Sequence, residues 1–199
     1  MVTRAHHAAA AGRQRVRRLF VSALLVAIAG TGTFADPLSA PAVGVTEAGG
    51  VYSVTAAFAV SEPPHTVIAV LTDYERIPHY MPDVQVSRII ERTAAGVVVE
   101  QEAISKFMLF SKRVHLVLDV SEEAGAIRFK DRSGRSFESY EGAWLISQHD
   151  SMTVVDYQLT AKPSFEVPAF VLKRLLKRDA AQLIDRIKAE ITARENRAK

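Results

Sequence analysis

Between positions 84 and 162 the chain runs through a succession of short apolar–polar alternations, each cut off by a brief polar or glycine-containing turn, and it then closes in one long amphipathic helix. That order constrains the fold more than any other feature. Alternation with period two marks half-buried strands, and strands joined by short turns form an antiparallel meander. The spacing predicts five or six strands at 84–91, 97–105, 107–120, 126–131, 137–148 and 152–162. The third of these puts Val114, Leu116, Leu118 and Val120 on one side against Arg113, His115 and Asp119 on the other. An earlier strand alternates through Tyr52, Val54, Ala56, Phe58 and Val60. Ser61 is read as the cap of a short helix that Pro63 and Pro64 open and that ends near Asp73, and 74–82 as a second short helical or turn segment. The closing helix runs from Pro168 to about Arg194, with Leu172, Leu175, Leu176, Ala180, Leu183, Ile184, Ile187 and Ile191 at three- and four-residue steps. A strongly curved sheet wrapped around that helix buries both apolar faces, an α+β two-layer design.

Charge divides the chain. Residues 1–35 hold Arg4, Arg13, Arg15, Arg17 and Arg18 and no acid, while 36–199 carry 20 bases against 22 acids. The surplus therefore belongs to the leader, and no basic nucleic-acid footprint covers the folded part. Positive residues followed by the apolar run Leu19 to Ala29 and then small residues have the order of an export signal, with a cut expected after Ala35. This predicts a signal peptide at 1–35, a linker at 36–50 and one domain at 51–199, in a periplasmic or extracellular protein; an uncleaved membrane anchor is the alternative. Arg17-Arg18-Leu19-Phe20 partly matches a twin-arginine signal. The absence of cysteine removes disulfides, thiolate metal sites and cysteine nucleophiles.

The stretch from Val70 to Val84 (Leu71-Thr72-Asp73-Tyr74, Ile77-Pro78, Tyr80-Met81-Pro82) resembles the START-like (SRPBCC) superfamily, in particular its polyketide cyclase/dehydrase and coenzyme Q-binding branch. Gly142-Ala143-Trp144, Thr153 to Tyr157 and Pro163 to Pro168 extend the resemblance over about residues 51–195. It implies a helix-grip fold: a curved antiparallel sheet of six to seven strands around the long C-terminal helix, with two short helices after the first strand and an elongated apolar cavity inside. It implies little about chemistry, because one fold hosts carriers and cyclases alike.

Phe58, Phe129, Tyr140, Trp144 and Tyr157 either line a ligand cavity or fill a core. Val54, Tyr80, Met81, Val99, Gln101, Leu116, Leu118, Leu159, Phe165, Phe170 and Leu175 complete the candidate ligand-binding set. On the strand through Val97 to Ser105 only one parity faces inward. A buried unpaired carboxylate is costly, so Gln101 is expected inside and Glu100 and Glu102 in water; an inward glutamate would be an acid/base candidate. Asp73 is read as the cap of the following turn. His65, His79, His115 and His149 have no metal-ligand spacing and are expected at the surface, His79 beside a cavity entrance. No metal, cofactor or catalytic residue is predicted.

The leading expectation is an exported, non-enzymatic binder or carrier of a hydrophobic, lipid-like ligand. The alternative is a cyclase or dehydratase acting on a polyketide-like chain through Gln101, Glu102, Tyr140 and Tyr157. Lys173, Arg174, Lys177 and Arg178 form either a solvated helix face or a contact with anionic membrane, with Phe165, Val167 and Phe170 as the adjacent apolar gate. A hydrophobic staple that sets the approach angle of the helix is the packing alternative for that gate.

Overall fold

The computed structural model describes residues 42–94, 96–107 and 110–198. The expected signal peptide and the first part of the expected linker lie outside them. Strand β1 (Ala42–Ala48) turns into β2 (Val51–Val60); α1 (Pro64–Leu71), a 3-10 turn (Tyr74–Arg76) and α2 (Ile77–Tyr80) follow. Six strands come next: β3 (Val84–Thr93), β4 (Gly96–Phe107), β5 (Phe110–Glu123), β6 (Ala126–Asp131), β7 (Phe137–His149) and β8 (Met152–Pro163). Helix α3 (Ala169–Ala198) ends the described chain. All eight strands pair antiparallel in the order β1-β2-β8-β7-β6-β5-β4-β3, so the last strand lies beside β2 and the meander occupies the rest. The curved sheet and its long C-terminal helix make the helix-grip fold.

One correction concerns the linker. Residues 42–48 form the edge strand β1, paired with β2 from Ala42↔Ala57 to Ala48↔Val51, and the sheet has eight strands where six to seven were expected. Gly49 and Gly50 both have positive φ (59° and 80°), the backbone that a two-residue hairpin needs. Val43 is buried, and this alternation is visible only once the turn is recognised.

Register sets the interior. Val54 pairs with Leu159, Leu159 with Gly142, Gly142 with Phe129, Phe129 with Val120 and Val120 with Val97, one inward row across six strands. Gly142 is required in that row. A Cβ there would lie 2.6 Å from Phe129 Cζ and 2.3 Å from the Gln158 carbonyl oxygen, so the missing side chain is the space that the phenylalanine ring occupies.

The ends of the short helices differ from expectation. Pro63, not Ser61, precedes α1, and it makes no side-chain cap. The Ser61 hydroxyl instead donates to the neighbouring Glu62 carboxylate. Asp73 caps nothing with its side chain. Its carboxylate pairs with Arg194 at 2.9 Å and with Arg76 at 3.7 Å, because a guanidinium is a stronger partner than a backbone amide.

Candidate functional site

A partly open cavity of about 140 Å³ lies between the sheet, the short helices and α3. β4 contributes Val99 and Gln101, β5 Leu118 and Val120, β6 Ile127 and Phe129, β7 Tyr140 and Trp144, and β8 Tyr157. Leu71 from α1, Tyr74 from the 3-10 turn, Ile77 from α2 and Leu183 from α3 close the other side. No lining side chain carries a charge.

The alternation of β4 explains the polar floor. Gln101 points inward and donates through Nε2 to Ser87 Oγ on β3 at 3.1 Å. Glu100 and Glu102 point out, where Glu100 meets Arg88 and His115 and Glu102 meets Arg113 at 3.4 Å. Hydrogen bonds from Arg88 and His115 hold the Glu100 carboxyl below its ordinary value. Glu102 is therefore no acid/base group for the interior, which removes it from the cyclase set. His115 is also less exposed than expected: its side chain is 14% exposed and packs between Glu100, at 3.1 Å, and Arg135, at 3.3 Å, on the outer face. His65, His79 and His149 are exposed, and His79 does not line the cavity. Among the described residues no three of His, Asp or Glu are grouped to hold a metal ion.

Aromatic side chains dominate the walls. The Trp144 and Tyr157 rings lie 4.4 Å apart, Phe129 and Tyr140 5.9 Å, and Phe137 and Tyr140 4.9 Å. The Tyr140 and Tyr157 hydroxyls share a hydrogen bond inside this cluster. Burial pushes the Tyr140 phenol up to about 12 and the Tyr157 phenol well above its usual value. Both stay protonated at neutral pH; they are hydrogen-bonding groups, not bases.

Of the expected ligand-binding residues, the cavity thus brings together Val99, Gln101, Leu118, Phe129, Tyr140, Trp144 and Tyr157. Val54, Phe58, Met81, Leu116 and Leu159 belong to the packed core instead. The Tyr80 hydroxyl is spent on the Val70 carbonyl at 3.4 Å, which turns the ring onto α1. Phe165 packs on Phe137 with Lys112 above its ring, Leu175 is half-buried beyond the cavity, and Phe170 stands 75% exposed. That exposure overturns the staple reading of Phe170. Leu71, Tyr74, Ile77, Val120, Ile127 and Leu183 line the cavity without having been expected there. For Val120 and Ile127 the strand alternation was a usable signal; for the helical residues the rotation of each helix against the sheet decides, and no local pattern states it.

In the first half of α3, Arg174 and Lys177 are exposed, Lys173 is half-buried, and Arg178 pairs with Asp179 at 2.7 Å. Among the described residues no helix is long and apolar enough to cross a membrane. A separate open groove of about 790 Å³ crosses the outer face of the sheet. Its walls include Thr55, Arg128, Gln158 and Thr160 and the ion pair Lys130–Glu141 at 3.1 Å beside apolar Val54, Val97 and Leu159, so charged groups line it where none line the interior.

The likeness to known proteins agrees with this architecture. A START superfamily protein from Mycobacterium smegmatis superposes with a TM-score of 0.62 at 16% identity, over 71% of this chain and 97% of the other. The STAR-related lipid transfer protein from Xanthomonas axonopodis gives 0.59 at 13%, over 77% and 99%. The Zhui aromatase/cyclase from a Streptomyces species gives 0.63 at 14%, over 72% and 95%. At these identities the likeness is one of fold. No curated protein matches the sequence. The family profile described as polyketide cyclase / dehydrase and lipid transport matches residues 60–188, well over half the chain. By that match and by its START-like architecture, the chain belongs to this family.

Proposed function

We propose that the protein is an exported, non-enzymatic binder or carrier of a hydrophobic, lipid-like ligand held between the sheet and α3. The observation that carries this reading is the interior itself: a cavity lined by aromatic and aliphatic side chains with one amide and three neutral phenols (Tyr74, Tyr140 and Tyr157), and no group that acts as a base at neutral pH. Such a lining holds a ligand by burial and orients it by a few polar contacts. The fold is shared with the STAR-related lipid transfer protein from Xanthomonas axonopodis, which agrees with the reading. The basic leader followed by an apolar run supports export to the periplasm or beyond. Exposed Phe170 beside Lys173, Arg174 and Lys177 supports loading and release at an anionic membrane surface, since an apolar wedge ringed by cations suits that interface.

Native mass spectrometry after detergent-free purification tests the binder. A co-purifying hydrophobic ligand is expected; an empty protein that also rejects isoprenoid, phospholipid and fatty-acyl probes contradicts it. N-terminal sequencing of the exported form tests the leader, with Asp36 expected as first residue. The second reading, a cyclase or dehydratase on a polyketide-like chain, has one observation in its favour: the Tyr140–Tyr157 pair beside Gln101, which can donate hydrogen bonds to a carbonyl oxygen. Turnover of a poly-β-keto thioester by the wild type, lost in Tyr157→Phe, would favour it over the carrier.

A further inference from the structure

The size and neutrality of the cavity restrict what can be buried in it. Its volume of about 140 Å³ is close to the ~150 Å³ hole that takes a single benzene ring and below the roughly 300 Å³ at which drug-sized ligand pockets begin. Flat rings on the adjacent strands β6, β7 and β8, Trp144 with Tyr157 and Phe129 with Tyr140, form one connected part of the wall, a surface suited to a planar guest. No lining side chain offers a counter-charge, and burying an unpaired ion costs far more than burying a neutral polar group. Gln101 is the one lining amide, and its bond to Ser87 fixes it in place.

Resting on the reading of the interior as a ligand site, we infer that the buried part of the ligand is a single uncharged ring bearing a hydroxyl or carbonyl oxygen, hydrogen-bonded to the Gln101 amide. A charged head group or a long chain attached to that ring lies outside the cavity. The inference separates this site from one built for a whole acyl chain, because chain methylenes would need volume that Leu183 and the Tyr157–Trp144 stack occupy.

Trp144 is the chain's one tryptophan and lines the cavity, so its fluorescence reports occupancy. The full-length chain is titrated at pH 7 with p-cresol, toluene, benzoate, 1-heptanol and oleate, with calorimetry as a second readout. Saturable p-cresol binding is expected, with benzoate and 1-heptanol at least about tenfold weaker. Gln101→Leu is expected to weaken p-cresol about five- to tenfold and to leave toluene within about twofold. Leu183→Phe, which fills the space from α3, is expected to abolish both, and it decides the matter if Gln101→Leu does not melt cooperatively. Benzoate or 1-heptanol binding as well as p-cresol overturns the inference, as does p-cresol affinity unchanged in a folded Gln101→Leu. Oleate binding without p-cresol binding overturns the single ring and leaves the binder standing. Failure of every probe overturns both.

Discussion

The two halves of α3 are held very differently. From Ala180 onward the helix is seated: Ala180, Ile184, Ile187 and Ile191 are buried against the sheet and α1, with Ile184 at 0% exposure. Polar ties finish the job. Arg194 reaches Asp73, Glu190 at 2.8 Å and the Ala69 carbonyl at 3.0 Å, and Thr192 donates to the Glu62 carboxylate at 2.8 Å. Between Ala169 and Asp179 only Leu172 is buried, and Ser105 donating to Asp179 at 2.9 Å is the tie to β4. One half anchors the fold, and the other half presents Phe170 and the cations to solvent. A helix clamped at one end can yield at the other without unfolding the sheet, and the clamped half is the one that brings Leu183 to the cavity.

Large differences between equivalent substitutions test this contrast. Ile184→Ala should lower unfolding stability by about 2–5 kcal/mol, the range for emptying a fully buried aliphatic site. Leu175→Ala, at a half-buried position on the other half, should cost clearly less. Equal losses in urea unfolding would break the contrast. Arg194→Ala should cost about 1–3 kcal/mol because it removes the cation that Asp73 and Glu190 share and leaves them only the more exposed Arg76 and Arg197. Arg178→Ala, whose partner Asp179 is as exposed as itself, should stay within about 0.5 kcal/mol.

Acid should act through the seated half. Burial works to raise the Glu190 carboxyl, but Arg194 and Arg197 outweigh it and hold it below the ordinary 4.5. A carboxyl depressed in the folded state contributes stability above its unfolded pKa and loses that contribution as pH falls through the folded value. Wild-type stability should therefore fall more steeply than that of Glu190→Gln below about pH 4.5; parallel curves in acid would remove Glu190 from the clamp.

The smallest stability effect belongs to Phe170. At 75% exposure its truncation to alanine should change stability by no more than about 0.5 kcal/mol. Binding to vesicles containing phosphatidylglycerol should nevertheless drop about tenfold, since a ring of this size contributes about 1.5–3 kcal/mol when it enters an apolar phase. Unchanged vesicle binding would reduce the unseated half to ordinary solvated helix.

The strands were legible because one face of each is buried and the other wet, so Val114 to Val120 and Phe58 to Val60 state their own orientation. β1 was hidden because a proline-, alanine- and glycine-rich segment reads as a linker unless Gly49-Gly50 is taken as a hairpin turn. On β4 to β8 the same alternation told which residues face inward, but not which of these, such as Val120 and Ile127 rather than Leu116 and Leu159, reach the cavity. Leu71, Ile77 and Leu183 did not, because an amphipathic stripe is wider than the strip that faces any one cavity. Asp73 and Arg194 are far apart in sequence, and no periodicity links them. For Phe170 the sequence left a cavity wall, a lipid-contacting gate and a packing staple open, and only tertiary placement, with the ring 75% exposed, removes the wall and the staple.

The central claim is that the uncharged interior between sheet and α3, and not the larger open groove with charged walls, holds a hydrophobic ligand. A crystal structure of protein purified without delipidation tests it most directly. The account predicts ligand density bounded by Gln101, Trp144, Tyr157 and Leu183. A closed, empty interior with ligand density only in the outer groove beside Thr55, Arg128 and Gln158 would contradict it.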